Sequence, residues 1–411
     1  MSEFSIGNRE IGYTSYDLQA RYFKWYIPGF YAKQIGFRNT AMEKLPSIQK
    51  KFFQYNCPIL KKRGALPSEK IMKKPVIAYL YNVRHTYPDP DDPKTQLEVD
   101  FDDPETIDWM ITHFKNCGYE VLPIEADEDA YNKLKNNRDR ITLAFNYSLG
   151  LSGRDRYAQM PAILEMLGIP YTGSQPVVQA IVQTKPMMKD ILIANGIPTL
   201  PYQIFNQGDE PLKKGMAFPL IVKPESQGSS AGITNASVVH NEKELRAQVA
   251  AVMALFKTPA FAEPYITGRE FSLGMLGNPP QFLPVVEADY ATLPAGYLPI
   301  DSLEVKWIIE EEAPEHLVCP ARIDDKLKDR LETICQQAWD AIGIHDLCRI
   351  DVRLDAKGNP FILDINSPPG MIPPEVSVTS YFPLEARAAG IDYEMLVQAI
   401  IGHALKRYGK A

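Results

Sequence analysis

Residues 348–366 constrain this chain more than any other stretch. Two β-type runs, Cys348–Leu354 and Pro360–Ile365, flank the turn-forming cluster Asp355-Ala356-Lys357-Gly358-Asn359, the pattern of an antiparallel hairpin. Residues two apart on a strand share a face. Arg349 with Asp351, and Asp364 with Asn366, are therefore expected to converge on one side. Three oxygen-bearing side chains and one guanidinium suit Mg²⁺ bound to nucleotide phosphates, because Mg²⁺ prefers hard oxygen ligands and arginine prefers phosphate oxygens or an oxyanion. An isolated Arg-x-Asp is more often a surface ion pair, so the rest of the chain has to decide.

At 411 residues the chain exceeds one simple core and suits two to four domains. No stretch approaches the roughly 18 to 20 apolar residues of a membrane span, and Glu3, Arg9 and Glu10 stand where a signal peptide would be apolar. A cytoplasmic protein without membrane contact is expected. Cys57, Cys117, Cys319, Cys335 and Cys348 form no close pairs, which argues for reduced thiols rather than disulfides or a zinc site. Residues 1–73 hold 13 Lys plus Arg against 5 Asp plus Glu, a net +8, leaving −15 for the rest of a chain whose total is −7. An acidic body argues against nucleic-acid binding. The basic leader, with Tyr22, Phe23, Trp25, Tyr26, Phe30 and Tyr31, has the composition of a single-strand binder; the simpler expectation is that it packs on the acidic body or on a twin subunit.

Beyond a connection at Lys61–Ser68, strand-like runs at Pro75–Tyr81, Tyr119–Ile124 and Ile141–Phe145 alternate with helical segments after Asp103 and over Tyr157–Leu167, which implies a parallel sheet. A helix is expected over Val177–Asn195, with strands at Tyr202–Phe205 and Pro219–Lys223. The loop Gln227-Gly228-Ser229-Ser230-Ala231-Gly232 has the small residues that let backbone N–H groups wrap a phosphate. Lys223, just before it, and Lys185 are candidate phosphate clamps. Phe261–Ile266 and Phe271–Leu276 read as strands around Thr267-Gly268-Arg269-Glu270, and Ala288–Trp307, aperiodic with Pro294, Gly296 and Pro299, has the length of a functional lid.

Taken in order, Tyr171-Thr172-Gly173-Ser174, Ile221-Val222-Lys223-Pro224, the Gly228-Ser229-Ser230 loop, Glu263 with Gly268-Arg269-Glu270, Arg349-Ile350-Asp351 and Asp364-Ile365-Asn366-Ser367-Pro368-Pro369-Gly370 resemble the ATP-grasp superfamily, in particular D-alanine:D-alanine ligases and their relatives. The resemblance runs from about Lys74 to Ala404. It implies an α/β fold of three domains behind an extra N-terminal extension: residues 1–73 as the extension, 74–175 as an N-terminal α/β domain, 176–268 as a central ATP-grasp subdomain, and 269–411 as a C-terminal one carrying the lid and the hairpin.

On the matching positions, the resemblance implies that Lys185 and Lys223 contact ATP phosphates and that Glu263 with Pro264, Tyr265 and Ile266 holds adenine. Glu270 would bind the ribose, and Asp351, Asp364 and Asn366 would hold two Mg²⁺ ions. Arg349, Gly370, Ser229 and Ser230 would serve catalysis, with Gly228 in the phosphate loop and Lys306 as the lid lysine. The implied reaction joins a carboxylic acid to an amine through an acyl phosphate, in a homodimer. Two stretches depart from the D-alanine ligase pattern. The loop Phe145–Arg154, with Asn146, Gly150 and Arg154 as candidate substrate residues, lacks that family's His-Gly and Gly-Glu-Asp-Gly runs, and about five residues are inserted before Ser380, a further candidate substrate residue that matches the family serine near the second substrate's carboxylate. The expected substrates are therefore amino acids or amino-acid-like molecules. Authentic D-alanine:D-alanine ligase, an ATP-grasp kinase and a non-catalytic ATP-binding regulator are the alternatives.

Overall fold

The computed structural model describes residues 74–89 and 92–410. The leader 1–73 and the connection at Lys61–Ser68 lie outside the described residues. The first sheet consists of β1 (Val76–Tyr81), β2 (Glu120–Glu125) and β3 (Leu143–Asn146), in the order β2-β1-β3 and parallel throughout, as the strand–helix alternation predicts. The central strand is apolar along its whole length because both its faces are covered. Ile77 and Tyr79 meet Met110 and Phe114 of α1 (Pro104–Asn116). Ala78 and Leu80, on the other face, meet Met160 and Leu164 of α3 (Gln159–Leu167) beyond α2 (Ala130–Asn137).

The expected helix over Val177–Asn195 is two helices, α4 (Pro176–Gln183) and α5 (Lys185–Ala194), broken at Thr184. A continuous helix would lose the bond from residue 186 to the Val182 carbonyl and drive the Pro186 ring into it; restarting puts Pro186 in a first turn, where no donor is needed. The break brings Lys185 to a helix start.

The second sheet, β4 (Gln203–Phe205), β5 (Leu220–Pro224), β6 (Val238–Val239) and β7 (Ala260–Pro264), runs β4-β7-β5-β6 and is antiparallel. Leu245, Val249, Val252 and Phe256 form one stripe of α6 (Glu242–Phe256) against it. The third sheet contains β8 (Glu270–Leu276), β9 (Gln281–Phe282), β10 (Val286–Ala288), β11 (Leu317–Val318), β12 (Leu347–Leu354) and β13 (Pro360–Asn366), also antiparallel, in the order β11-β10-β8-β12-β13 with β9 beside β8. Cys348, Ile350 and Val352 enter a core with Leu331, Cys335 and Trp339 of α7 (Asp325–Ile342). Strand alternation then turns Arg349, Asp351 and Arg353 to the opposite face. Helices α8 (Tyr381–Ala388) and α9 (Tyr393–Arg407) share the core of the first sheet. The cysteines among the described residues, Cys117, Cys319, Cys335 and Cys348, are all free. No helix among the described residues is long and apolar enough to cross a membrane.

Candidate active site

The hairpin β12–β13 pairs Arg349 with Asn366 and Asp351 with Asp364, with a register shift after Asp351. Arg349 grips Asp351 with two parallel bonds, Nε to Oδ1 at 3.0 Å and Nη2 to Oδ2 at 2.9 Å. Asn366 Nδ2 donates to Asp351 Oδ2 at 2.8 Å, and Ser272, opposite on β8, donates to Oδ1 at 2.6 Å. Burial alone would raise Asp351, but Arg349 and the Ser272 hydroxyl hold its carboxyl below the usual range. Two carboxylates facing each other on adjacent strands repel. Lys185 Nζ, 3.3 Å from Asp364 Oδ2, offsets part of that repulsion.

The second sheet supplies the opposing cations. Lys223 on β5 lies diagonally across from Glu263 on β7, within side-chain reach, and its Nζ is 2.9 Å from Glu263 Oε1. The other carboxylate oxygen is 2.8 Å from Lys189 Nζ. Complete burial works to raise Glu263, yet the two ammonium groups together hold it down to about 2. Burial draws Lys189 downward in turn, while two cations on one carboxylate keep the glutamate ionised. Across the third sheet, Arg353 lies 3.0 Å from its strand partner Glu270.

Three cavities meet at Ser229 and Asn366. The first is lined by Lys185, Lys223, Gly228, Ser229, Ser230, Glu270, Lys306, Arg349, Asp351, Asp364 and Asn366. A second is walled by Arg84, Asp100, Asp102, Trp307, Glu310, Ser380 and Tyr381 and shares Ser229, Lys306, Arg349 and Asn366 with the first. The third joins Asp100 and Asp102 to Lys185, Asp364 and the Asn366–Gly370 turn. The stretch 301–310 bridges these parts. Lys306 Nζ is 3.0 Å from Asp301 Oδ2, Ser230 Oγ donates to the Asp301 carbonyl at 2.8 Å, and Trp307 Nε1 donates to the Ser229 carbonyl at 3.4 Å. Trp307 also stacks under the Arg84 guanidinium at 4.5 Å.

Other expected residues lie elsewhere. Glu263, Pro264, Tyr265 and Ile266 line none of these three cavities, and the Glu263 carboxylate is spent on two lysines. Asn146, Gly150 and Arg154, expected at the substrate, also line none of them. Asn146 is buried and accepts from Ser148 Oγ at 2.7 Å. Gly150 has φ 72° and leaves no room for a Cβ, which would sit 2.1 Å from the Arg156 carbonyl. Arg154 is ion-paired to the buried Glu225. Ser380 does reach the second cavity, where its hydroxyl accepts from Ile372 N at 3.1 Å. The inserted stretch before it is anchored by His113, whose ring nitrogens lie 3.1 Å from Glu375 and 2.9 Å from Glu394.

The sequence reading missed Arg84, Asp100, Asp102, Lys189, Trp307, Glu310 and Tyr381. Asp100 Oδ2 accepts from Arg156 at 2.7 Å, while its buried Oδ1 has no partner. Burial pushes Asp102 up to about 7 despite nearby Arg84. Alternation in Val99-Asp100-Phe101-Asp102 was the available signal, but beside the helix start at Asp103 it reads as helix capping.

For Mg²⁺, the donor set fits: two carboxylates and an amide at facing strand positions are hard oxygen ligands whose mutual repulsion a cation would relieve. Among the described residues no group of three His, Cys, Asp or Glu could hold a metal ion, so a site on the hairpin would need the Asn366 oxygen beside the two carboxylates.

A family model described as D-ala D-ala ligase C-terminus matches residues 191–402. A D-alanine–D-alanine ligase of Pelotomaculum thermopropionicum is 32% identical over 317 residues, covering 74% of this chain and 92% of that protein. This chain belongs to the D-alanine–D-alanine ligase family. It is accordingly an ATP-dependent carboxylate–amine ligase with an ATP-grasp fold. The family also includes the D-alanine–D-alanine ligase of Desulforudis audaxviator, 33% identical over 296 residues, covering 71% of this chain and 89% of that protein. An uncharacterised protein of Sinorhizobium fredii is 32% identical over 329 residues, covering 78% of this chain and 92% of that protein. The D-alanine–D-alanine ligase of Bacillus anthracis, solved in complex with ATP, shares the fold with a TM-score of 0.60 at 23% identity over 82% of this chain and 99% of that one.

Proposed function

We propose that this enzyme phosphorylates the carboxylate of an amino acid or amino-acid-like acid with ATP and passes the acyl group to an amine, in the cytoplasm and as a homodimer. The observation that carries this reading is the pair of cavities sharing Lys306, Arg349 and Asn366: a nucleotide in the first would present its terminal phosphate to an acid in the second. Lys185, Lys223 and Lys306 spread positive charge along the phosphates, and the Gly228–Ser230 backbone wraps them. Asp351, Asp364 and Asn366 would hold Mg²⁺. Bound there, the metal supplies neutralisation of phosphate charge. Glu270 takes the ribose, adenine extends beyond the first cavity to the backbone of Pro264–Ile266, and Glu263 fixes Lys223 in place.

The carboxylate oxygen attacks the γ-phosphorus and ADP leaves. The amine then attacks the acyl carbonyl, where Arg349 and the Gly370 N–H meet the developing oxyanion, and phosphate departs. Asp100, with its unpaired buried oxygen, and Asp102 give the acid substrate an anionic seat for an ammonium group. The test is phosphate release with ATP, Mg²⁺ and a panel of D- and L-amino acids, with product masses recorded. An amide, lighter by one water than its two parts, is expected. A phosphoester would mean a kinase and ATP binding without turnover a regulator, while release with D-alanine alone would make it a D-alanine–D-alanine ligase in the strict sense.

A further inference from the structure

The attacking amine arrives as an ammonium ion and must lose a proton before its lone pair is available. Nothing assigned above takes that proton. The second cavity, about 140 Å³, is small beside the roughly 300 to 1,000 Å³ of drug-sized ligand sites, and it holds one carboxylate that neither the metal site nor the acidic seat uses. Glu310 follows directly on the π-helical turn Val305–Ile309 that carries Lys306, and it lines this cavity together with Arg349, Gly370 and Ser380. It is 3% exposed. Tyr381 on α8 donates its hydroxyl to Glu310 Oε1 at 2.7 Å, which fixes the carboxylate and engages one of its two oxygens.

We propose that Glu310 is the general base that accepts the proton of the attacking amine. The inference rests on the ligase reading above. The ammonium nitrogen gives one proton to Glu310 and its lone pair forms the C–N bond at the acyl phosphate carbonyl. The tetrahedral intermediate then expels phosphate, which carries off the second nitrogen proton, and Glu310 returns its own proton to solvent. The neighbourhood suits a base matched to an amine. Burial and Asp301 push Glu310 up to about 8, opposed by Lys306 from its own turn, by the Tyr381 hydroxyl on α8 and by Arg349 on β12. General bases work best with a pKa near the working pH and are worth about 10² to 10⁴ in rate.

Tyr381 also lies under both cations, 5.0 Å from Arg349 and 5.4 Å from Lys306, so a purely structural Glu310 would merely hold that ring. Hydroxylamine separates the two roles: it is largely unprotonated at neutral pH and traps an acyl phosphate without needing a base. Glu310→Gln keeps an acceptor for the Tyr381 hydroxyl. It is expected to lower amide formation about 10²-fold or more while leaving ATP-dependent hydroxamate formation within a few-fold of the parent. The parent's amide rate should rise with pH through about 8, and the variant should lose that limb. Tyr381→Phe, which keeps the base, should stay within about tenfold of the parent with the limb moved to higher pH, since the hydroxyl bond favours the ionised form. Equal loss of hydroxamate and amide in Glu310→Gln, or an unchanged pH limb, overturns the assignment. Absence of hydroxamate from the parent with every acid would instead overturn the acyl phosphate reading itself.

Discussion

The hairpin β12–β13 and the wall of the second cavity differ in how their functional groups are held. On the hairpin, Arg349, Asp351, Asp364 and Asn366 project from paired strands; Arg349, Asn366 and Ser272 on β8 all bind Asp351, and Asp364 meets Lys185. On the cavity wall, Arg84, Asp100, Asp102, Trp307 and Glu310 come from connections and helical turns and are steadied by contacts across the chain, such as Trp307 on Arg84 and Tyr381 on Glu310. On the proposed reading, the contrast separates phosphoryl chemistry from substrate choice. Phosphoryl transfer requires charges at fixed spacing, which strands supply. On the same proposed reading, selection of acid and amine falls to loops, which change without disturbing the sheet.

If that division is right, hairpin variants lose turnover with every substrate, and variants of the wall residues other than Glu310, whose proposed role is in the chemistry, lose particular substrates. The largest effect is expected from Arg349→Lys, which keeps a positive charge but loses the fork to Asp351. Turnover should fall by about 10² to 10³ with all acids alike, measured as phosphate release at saturating ATP. A loss confined to one acid would break the comparison. Glu263→Gln attacks the frame behind the first cavity. It leaves Lys189 fully buried with one partner fewer and should cost about 3 to 5 kcal/mol in denaturant unfolding.

The same glutamate sets an acid limit. Its pKa is depressed from 4.5 unfolded to about 2 folded, so its stabilisation is complete above pH 4.5 and is lost as pH falls through about 2. Glu263→Gln should flatten that part of the stability-against-pH curve. Asp102→Asn tests the wall. KM for an ammonium-bearing acid should rise by about 10- to 100-fold, the scale of a charged hydrogen bond, with KM for ATP unchanged. Because Asp102 ionises at about 7, the parent's KM for that acid should improve as pH rises through that value. The smallest effect on catalysis is expected from Arg154→Ala. Arg154 is about half exposed, but removing it strips the buried Glu225 carboxylate of its cation, so the stability loss should be about 1 to 3 kcal/mol, with substrate KM values unmoved. A large KM change there would return Arg154 to the substrate site.

What could be read from the sequence follows the same line. Strand alternation puts Arg349 and Asp351 on one face, and the turn at 355–359 puts Asp364 and Asn366 opposite them. The parallel first sheet and the positions of Lys223 and the glycine–serine loop follow from local patterns as well. Lys189 does not, since a lysine within an amphipathic helix looks like a solvent-facing charge until its ammonium is seen to reach Glu263 on β7. Asp100, Asp102 and Glu310 do not either, since no local pattern in the sequence marks them out as site residues from other acidic residues. In each case the partner that defines the role, Glu263, Arg156 or Tyr381, is distant in sequence and adjacent only after folding. Asn146 and Gly150 show the converse: a family position near substrate is occupied here by residues that hold their own loop.

The acyl phosphate is the central claim, and oxygen-18 follows it directly. An acid substrate labelled in both carboxylate oxygens should send one labelled oxygen into inorganic phosphate for every amide formed, because the bond cleaved in the second step is the one between that oxygen and the acyl carbon. Phosphate free of label, with amide still accumulating, would contradict the account.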